Sequence, residues 1–91
     1  MALTIQEINE RAREELTKVT GLELSTTLST AKVEDGWAVD VELVEKHSIP
    51  DGMDLLATYE AVLDDFGNML SFKRIRMRKR IDSEVEFEEK F

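Results

Sequence analysis

Asp35-Gly-Trp-Ala-Val-Asp-Val-Glu-Leu-Val-Glu45 places Trp37, Val39, Val41 and Leu43 on one side of an extended chain and Asp40 and Glu42 on the other. Successive side chains of a strand point to opposite faces, so this alternation marks a half-buried strand. The Asp35-Gly36 pair ahead of it reads as a two-residue hairpin turn, in which glycine supplies positive φ without steric cost. With Glu34 opposite Trp37, Leu28 lies opposite Leu43 and Thr30 opposite Val41. A Ser- and Thr-rich strand from Thr26 to Val33 then forms a sheet edge.

Downstream, Leu55, Ala57, Tyr59, Ala61 and Leu63 face one way and Thr58 and Glu60 the other. Asp65-Phe66-Gly67-Asn68 turns the chain back. Pairing Asp64 with Met69 sets Leu63 against Leu70, Ala61 against Phe72 and Glu60 against Lys73, so apolar meets apolar and acid meets base. Continued without interruption, the register puts Tyr59 beside Arg74 and Ala57 beside Arg76, where an apolar core rejects bare guanidinium groups. Either the sheet runs on past its cover, or a bulge near Lys73-Arg74 turns Ile75 and Met77 inward. The bulge is the reading adopted, since it gives both apolar residues a place.

Thr4-Ile5-Gln6-Glu7 has the form of a capping box, and Ile5, Ile8, Ala12, Leu16 and Val19 follow at helical spacing up to the stop at Gly21. Arg11, Arg13, Glu14, Glu15 and Lys18 belong to the solvated side. The fold class expected is α+β in one domain over residues 1–91. A helix at about 4–20 packs on a four-stranded antiparallel meander at about 26–80, a cystatin-like helix-on-sheet layout, with an acidic tail at 81–91 that is either a short helix or mobile.

The chain of 91 residues carries 12 basic and 20 acidic side chains, a net charge of -8, and no cysteine. Its 42% hydrophobic content is that of a globular rather than a disordered chain. The absence of thiols removes disulfides, thiolate metal sites and cysteine nucleophiles. His47 is the single histidine, and the glycines are scattered rather than grouped into a phosphate-cradling loop. The reading is therefore a non-enzyme without cofactor or metal. With no long apolar run and no signal-peptide pattern, a cytoplasmic location without membrane is expected. The acidic balance argues against nucleic acid as a partner.

One window opposes the overall charge. Lys73, Arg74, Arg76, Arg78, Lys79 and Arg80 supply 6 of the 12 basic residues. Three readings stand for it: a sheet edge guarded by charge, a docking site for an acidic protein, and, least favoured, a nucleic-acid contact. The loop Ile49-Pro50-Asp51, closed by Asp54, joins two core strands and is either plain turn structure or a second contact surface. Aspartates 51, 54, 64 and 65 lack the spacing of a calcium loop. Trp37 reads as a core or core-edge residue. Tyr59 reads as a packed ring whose hydroxyl stays wet or meets Arg74.

The order Asp35-Gly-Trp, alternating Val and Glu, Ile49-Pro-Asp, Asp54-Leu-Leu-Ala-Thr-Tyr-Glu60, Leu63-Asp, Gly67 and the arginine strand resembles the gas vesicle protein O family, over roughly Thr20 to Arg80. The chain departs from the pattern at Arg76-Met77, where the family leads one to expect Arg-Tyr. The resemblance implies an accessory factor of gas vesicle assembly, cytoplasmic or vesicle-associated. Its implied partners are other gas vesicle proteins, including the AAA-type ATPase gas vesicle protein N. Charge and loop placement nominate Arg74, Arg76, Arg78, Ile49, Pro50, Asp51, Asp54 and Tyr59 as partner-binding residues. The alternative is a small-ligand or peptide-binding module of cystatin-like fold, using the concave sheet face or its open edge, which a pocket of several hundred Å³ between helix and sheet would favour. A homodimer is also expected, through an exposed strand.

Overall fold

Alternating strands around glycine-marked turns, with one amphipathic stripe ahead of them, leave a meander under a helix as the simplest way to bury both apolar faces. A computed structural model has this form and describes residues 3–81, so the tail expected at 81–91 lies, beyond Ile81, outside the described residues. Helix α1 (Ile5–Thr20) precedes β1 (Glu23–Val33), β2 (Gly36–Lys46), a 3-10 turn (Asp51–Met53), β3 (Leu55–Leu63) and β4 (Met69–Lys79). The strands pair antiparallel in the order β1-β2-β3-β4, which fits the cystatin-like expectation.

Both helix signals hold. The Thr4 hydroxyl accepts from Glu7 N at 3.2 Å while Glu7 Oε1 accepts from Thr4 N at 2.9 Å. Gly21 ends the helix at φ 73°, a left-handed conformation that glycine adopts without a Cβ clash. Ile8, Ala12 and Leu16 are fully buried, but Ile5 and Val19 are half exposed because the ends of the stripe overhang the sheet. Two arginines read as solvated instead reach the sheet and its turn: Arg13 donates to Thr27 Oγ1 and Arg11 to the Gly67 carbonyl.

The helix packs on Val39, Val41 and Leu43 of β2 and Ala57, Tyr59, Ala61 and Leu63 of β3, in one core cluster. Burial of each large aliphatic side chain contributes about 1.5–3 kcal/mol. Trp37 lies at the core edge, with the Lys32 ammonium 5.4 Å from its ring.

The first hairpin differs from the sequence reading. Val33 pairs with Gly36, so the turn is Glu34-Asp35, and two irregularities between Leu24 and Ser29 bring Leu24 rather than Leu28 opposite Leu43. β1 accordingly begins at Glu23, three residues before the expected start. Gly36 has no positive φ; its role is proximity, described below.

In the second hairpin Ala61, Glu60 and Tyr59 meet Phe72, Lys73 and Arg74 as expected, while Leu63 meets Met69. A shift between Thr58 and Tyr59 leaves Ile75 as the extra residue and sets Met77 against Ala57. This is the bulge that the arginine phase demanded. It re-aims the strand without burying it, since Ile75 and Met77 are each 41% exposed on this sheet edge.

Candidate functional site

Because opposite residues of an antiparallel pair share a face, Glu60 and Lys73, Thr58 and Arg76, and Leu56 and Arg78 occupy the sheet surface away from the helix. Asp40 and Glu42 join them from β2. The sequence assigns this surface to solvent, yet Glu42 is 3% and Thr58 4% exposed. The cause is Arg78, which reaches across β3 to donate from Nε and Nη2 to the two oxygens of Glu42 at 2.9 and 3.0 Å. Ser25 Oγ adds a third donor. Glycine or alanine would not bridge two strand spacings, about 10 Å; the long side chains do, over the small Thr58.

The other arginines have different partners. Arg74 falls on the helix side opposite Tyr59, and its Nη1 lies 3.8 Å from Glu45 Oε2. The Tyr59 hydroxyl donates to the other oxygen of Glu45 at 3.1 Å, so Tyr59 and Arg74 share this carboxylate. Burial first, and the Glu45 bond second, push the phenol above its ordinary range. Arg80 binds Asp54 twice, from its backbone N–H to the Asp54 carbonyl and from Nη2 to Oδ2. Arg76 is exposed, and among the described residues no carboxylate pairs with it or with Lys79.

The Arg80–Asp54 contact joins the end of β4 to the loop, so the two surfaces nominated from sequence meet at one end of the sheet. Asp54, 2% exposed, anchors the loop from inside by accepting from Ser48 N at 2.6 Å. Ile49 stands 99% exposed at the tip, beside an exposed Pro50. Of the nominated residues, Arg74, Arg76, Ile49 and Pro50 are exposed, whereas Arg78, Asp54 and Tyr59 direct their polar atoms to groups of this chain. Asp51 lies in the 3-10 turn.

Sequence reasoning missed Glu42, Glu45, Arg80 and the clasp at His47. Alternation alone does not say that an acid two strands away from an arginine will be covered by it. His47 Nε2 lies 2.7 Å from Glu23 Oε1 and Nδ1 lies 3.5 Å from Asp54 Oδ2.

Glu23's hydrogen bond, ahead of Asp54's charge, raises the imidazole pKa above its ordinary 6.5. The Ser48 N–H, then Arg80, hold the Asp54 carboxyl below its ordinary 3.8. A raised histidine contributes stability below its unfolded pKa and loses it as pH rises through the folded one. A depressed aspartate contributes above its unfolded pKa and loses it as pH falls through the folded one. The unfolding midpoint of the natural chain should therefore exceed that of His47→Gln at about pH 6 and converge toward it by about pH 8. A gap that stays constant over that range would show that the clasp does not depend on the imidazolium.

Two open grooves of about 300 and 370 Å³ flank the helix. Glu7, Glu10, Arg11 and Glu14 line much of the first, and Glu10, Arg13, Glu14 and Thr17 of the second. Neither has the apolar enclosure of a small-ligand site, and the central core side chains beneath them are fully buried. Among the described residues no group of three or more His, Asp or Glu side chains is placed to hold a metal ion. No described helix is long and apolar enough to cross a membrane.

The family model described as Gas vesicle synthesis protein GvpO matches residues 1–84. Similar proteins include Gas vesicle protein O of Streptomyces sp. (strain CB03234), 39% identical over 72% of this chain and 52% of its own length. Gas vesicle protein O1 of Halobacterium salinarum is 26% identical over 93% of this chain and 71% of its own. Gas vesicle protein O of Haloferax mediterranei is 36% identical over 57% of this chain and 37% of its own. The chain thus spans about half of the Streptomyces relative. No solved structure matches significantly.

Proposed function

Because this chain belongs to the Gas vesicle synthesis protein GvpO family, we propose that it serves gas vesicle formation as a non-enzymatic assembly factor, docking other vesicle proteins on the β4 edge and the adjoining Ile49-Pro50 loop. One observation carries the reading: an acidic chain keeps a cluster of cations on an outer strand, and Arg76 within it has no carboxylate partner among the described residues. Guanidinium groups take carboxylates in bidentate pairs, so an acidic protein surface is the matching partner. Arg74 is the second contact, sharing Glu45 with Tyr59. The AAA-type ATPase gas vesicle protein N is a partner that the family resemblance implies, and the cytoplasm the compartment.

Support for a role without catalysis comes from chemistry. The single histidine is exposed and bound to two carboxylates, and no cysteine exists to be activated. A structural role in a gas-facing wall fits poorly with so many charged side chains.

Arg76→Glu, alone and with Arg74→Glu, tests the reading. Exposed substitutions of this kind shift stability by about 0.5 kcal/mol or less, so Arg76→Glu should fold normally yet fail to capture co-expressed vesicle proteins and fail to support vesicle formation. Capture and vesicles that survive both substitutions would remove β4 as the docking surface.

A further inference from the structure

We propose that the partner adds an extended strand to the open edge of β4, and that this strand alternates acidic and apolar residues. The inference rests on the docking reading above and specifies its geometry. β4 pairs with β3 on one side only, so alternate backbone N–H and C=O groups along Met69–Lys79 point away from the sheet toward whatever lies beyond its edge.

The side chains flanking that edge alternate in kind. On the surface away from the helix stand Lys73 and Arg76, opposite Glu60 and Thr58 of β3. Glu60 Oε1 reaches Lys73 Nζ only at 4.0 Å, and Thr58 offers Arg76 no charge. The acid that would complete the arrangement has to come from the other flank. On the helix side stand Phe72 and Met77, each 41% exposed, with the Phe72 ring 6.4 Å from that of Tyr59; Arg74, 3.8 Å from Glu45, and Lys79 share that side. A strand laid beside β4 therefore meets the cations Lys73 and Arg76 on one face and, on the other, the apolar Phe72 and Met77, with Arg74, drawn toward Glu45, between them and Lys79 at the far end. Cross-strand neighbours stabilise when acid faces base and apolar faces apolar, so the complementary sequence carries acids at every second position and apolar residues between.

The same rule excludes a second copy of β4 as the occupant, since like charges would face each other across the new pair. The bulge at Ile75 divides the edge, with Ser71–Arg74 and Arg76–Lys79 as its regular stretches. Added strands hydrogen-bond through the main chain and gain specificity from alternate side chains.

The probe is an acetylated, amidated peptide of alternating glutamate and valine, about eight residues long to match an ordinary strand. A blocked peptide of the same composition, with all glutamates before all valines, is its control. The alternating peptide should bind the full chain, perturb backbone amide resonances along β4, and weaken about tenfold or more with Arg76→Glu or in the blocked order. Of two peptides N-methylated at alternate sets of amides, one should lose binding and the other keep it. Equal binding of both orders, or of both N-methylated peptides, would show charge attraction without strand addition, and no binding would overturn the proposal outright.

Failure of the mode is separable from failure of the docking reading. If Arg76→Glu abolishes capture of vesicle proteins while the alternating peptide does not bind, β4 docks partners in some other way. If capture itself is indifferent to Arg76, both fall. The chain's own Ser83-Glu-Val-Glu-Phe-Glu88 has the same alternation, so a full chain with Glu84→Gln, Glu86→Gln and Glu88→Gln is compared. Binding that emerges only in that variant would assign the edge to the chain's own segment and overturn a partner strand.

Discussion

Arg78→Met should lower the unfolding free energy by about 3 kcal/mol, the lower end of what breaking a buried ion pair costs. Glu42 has a side chain 4% exposed, and its two oxygens take Nε and Nη2 of an arginine that is itself 31% exposed. Removing the guanidinium leaves a carboxylate under cover with Ser25 as its one remaining side-chain donor among the described residues. The desolvation already incurred is then uncompensated. Adding Glu42→Leu removes that charge as well, and the double variant should recover most of the loss because apolar residues of similar volume pack where the pair was. Urea unfolding of the natural chain, both single variants and the double variant gives the coupling directly. Additive losses would mean that the two side chains do not share a buried pair. The result bears on function too. Arg78→Met that unfolds the chain would abolish partner capture without touching a partner, whereas Arg76→Glu tests docking alone.

The layer architecture is legible in the residues because its signals are local. A threonine three residues before a glutamate satisfies the first helical amides, and valines at period two demand a covered face. Register was legible only where charge and turn agree. Glu60 against Lys73 and Ala61 against Phe72 follow from matching chemistry on both faces, and the bulge followed from the refusal of a core to take Arg76. In the first hairpin the flanking strand offers Ser and Thr on both faces, so a shift of pairing changes little and nothing in its sequence fixes it. The candidate site divides in the same way. A run of arginines shows in the sequence, but which of them is spent inside the chain depends on Glu42 and Asp54, carboxylates distant in sequence.

Gly36→Ala and Gly36→Asn should both destabilise the fold, at the upper end of the roughly 1–3 kcal/mol that overpacking costs. Read from the sequence, this glycine serves a hairpin turn, and asparagine, which tolerates positive φ, would replace it at little cost. The structure gives another cause. Gly36 is buried at the first position of β2, and a Cβ there would overlap the Leu63 carbonyl oxygen, with Asp64 Cα and the Leu63 carbonyl carbon at 2.9 Å. These are backbone atoms at the end of β3, and no side-chain rotation moves them away. The strands would have to part where Trp37 pairs with Leu63, opening the core beside a fully buried leucine. Gly52 supplies the control, since a Cβ there meets only Ile81 at an ordinary 3.6 Å; Gly52→Ala should stay within about 0.5 kcal/mol of the natural chain. Denaturant titration decides between the two accounts. A tolerated asparagine beside a damaging alanine would restore the turn explanation, and equal damage from both identifies the approach of the β3 backbone as what glycine is there to permit.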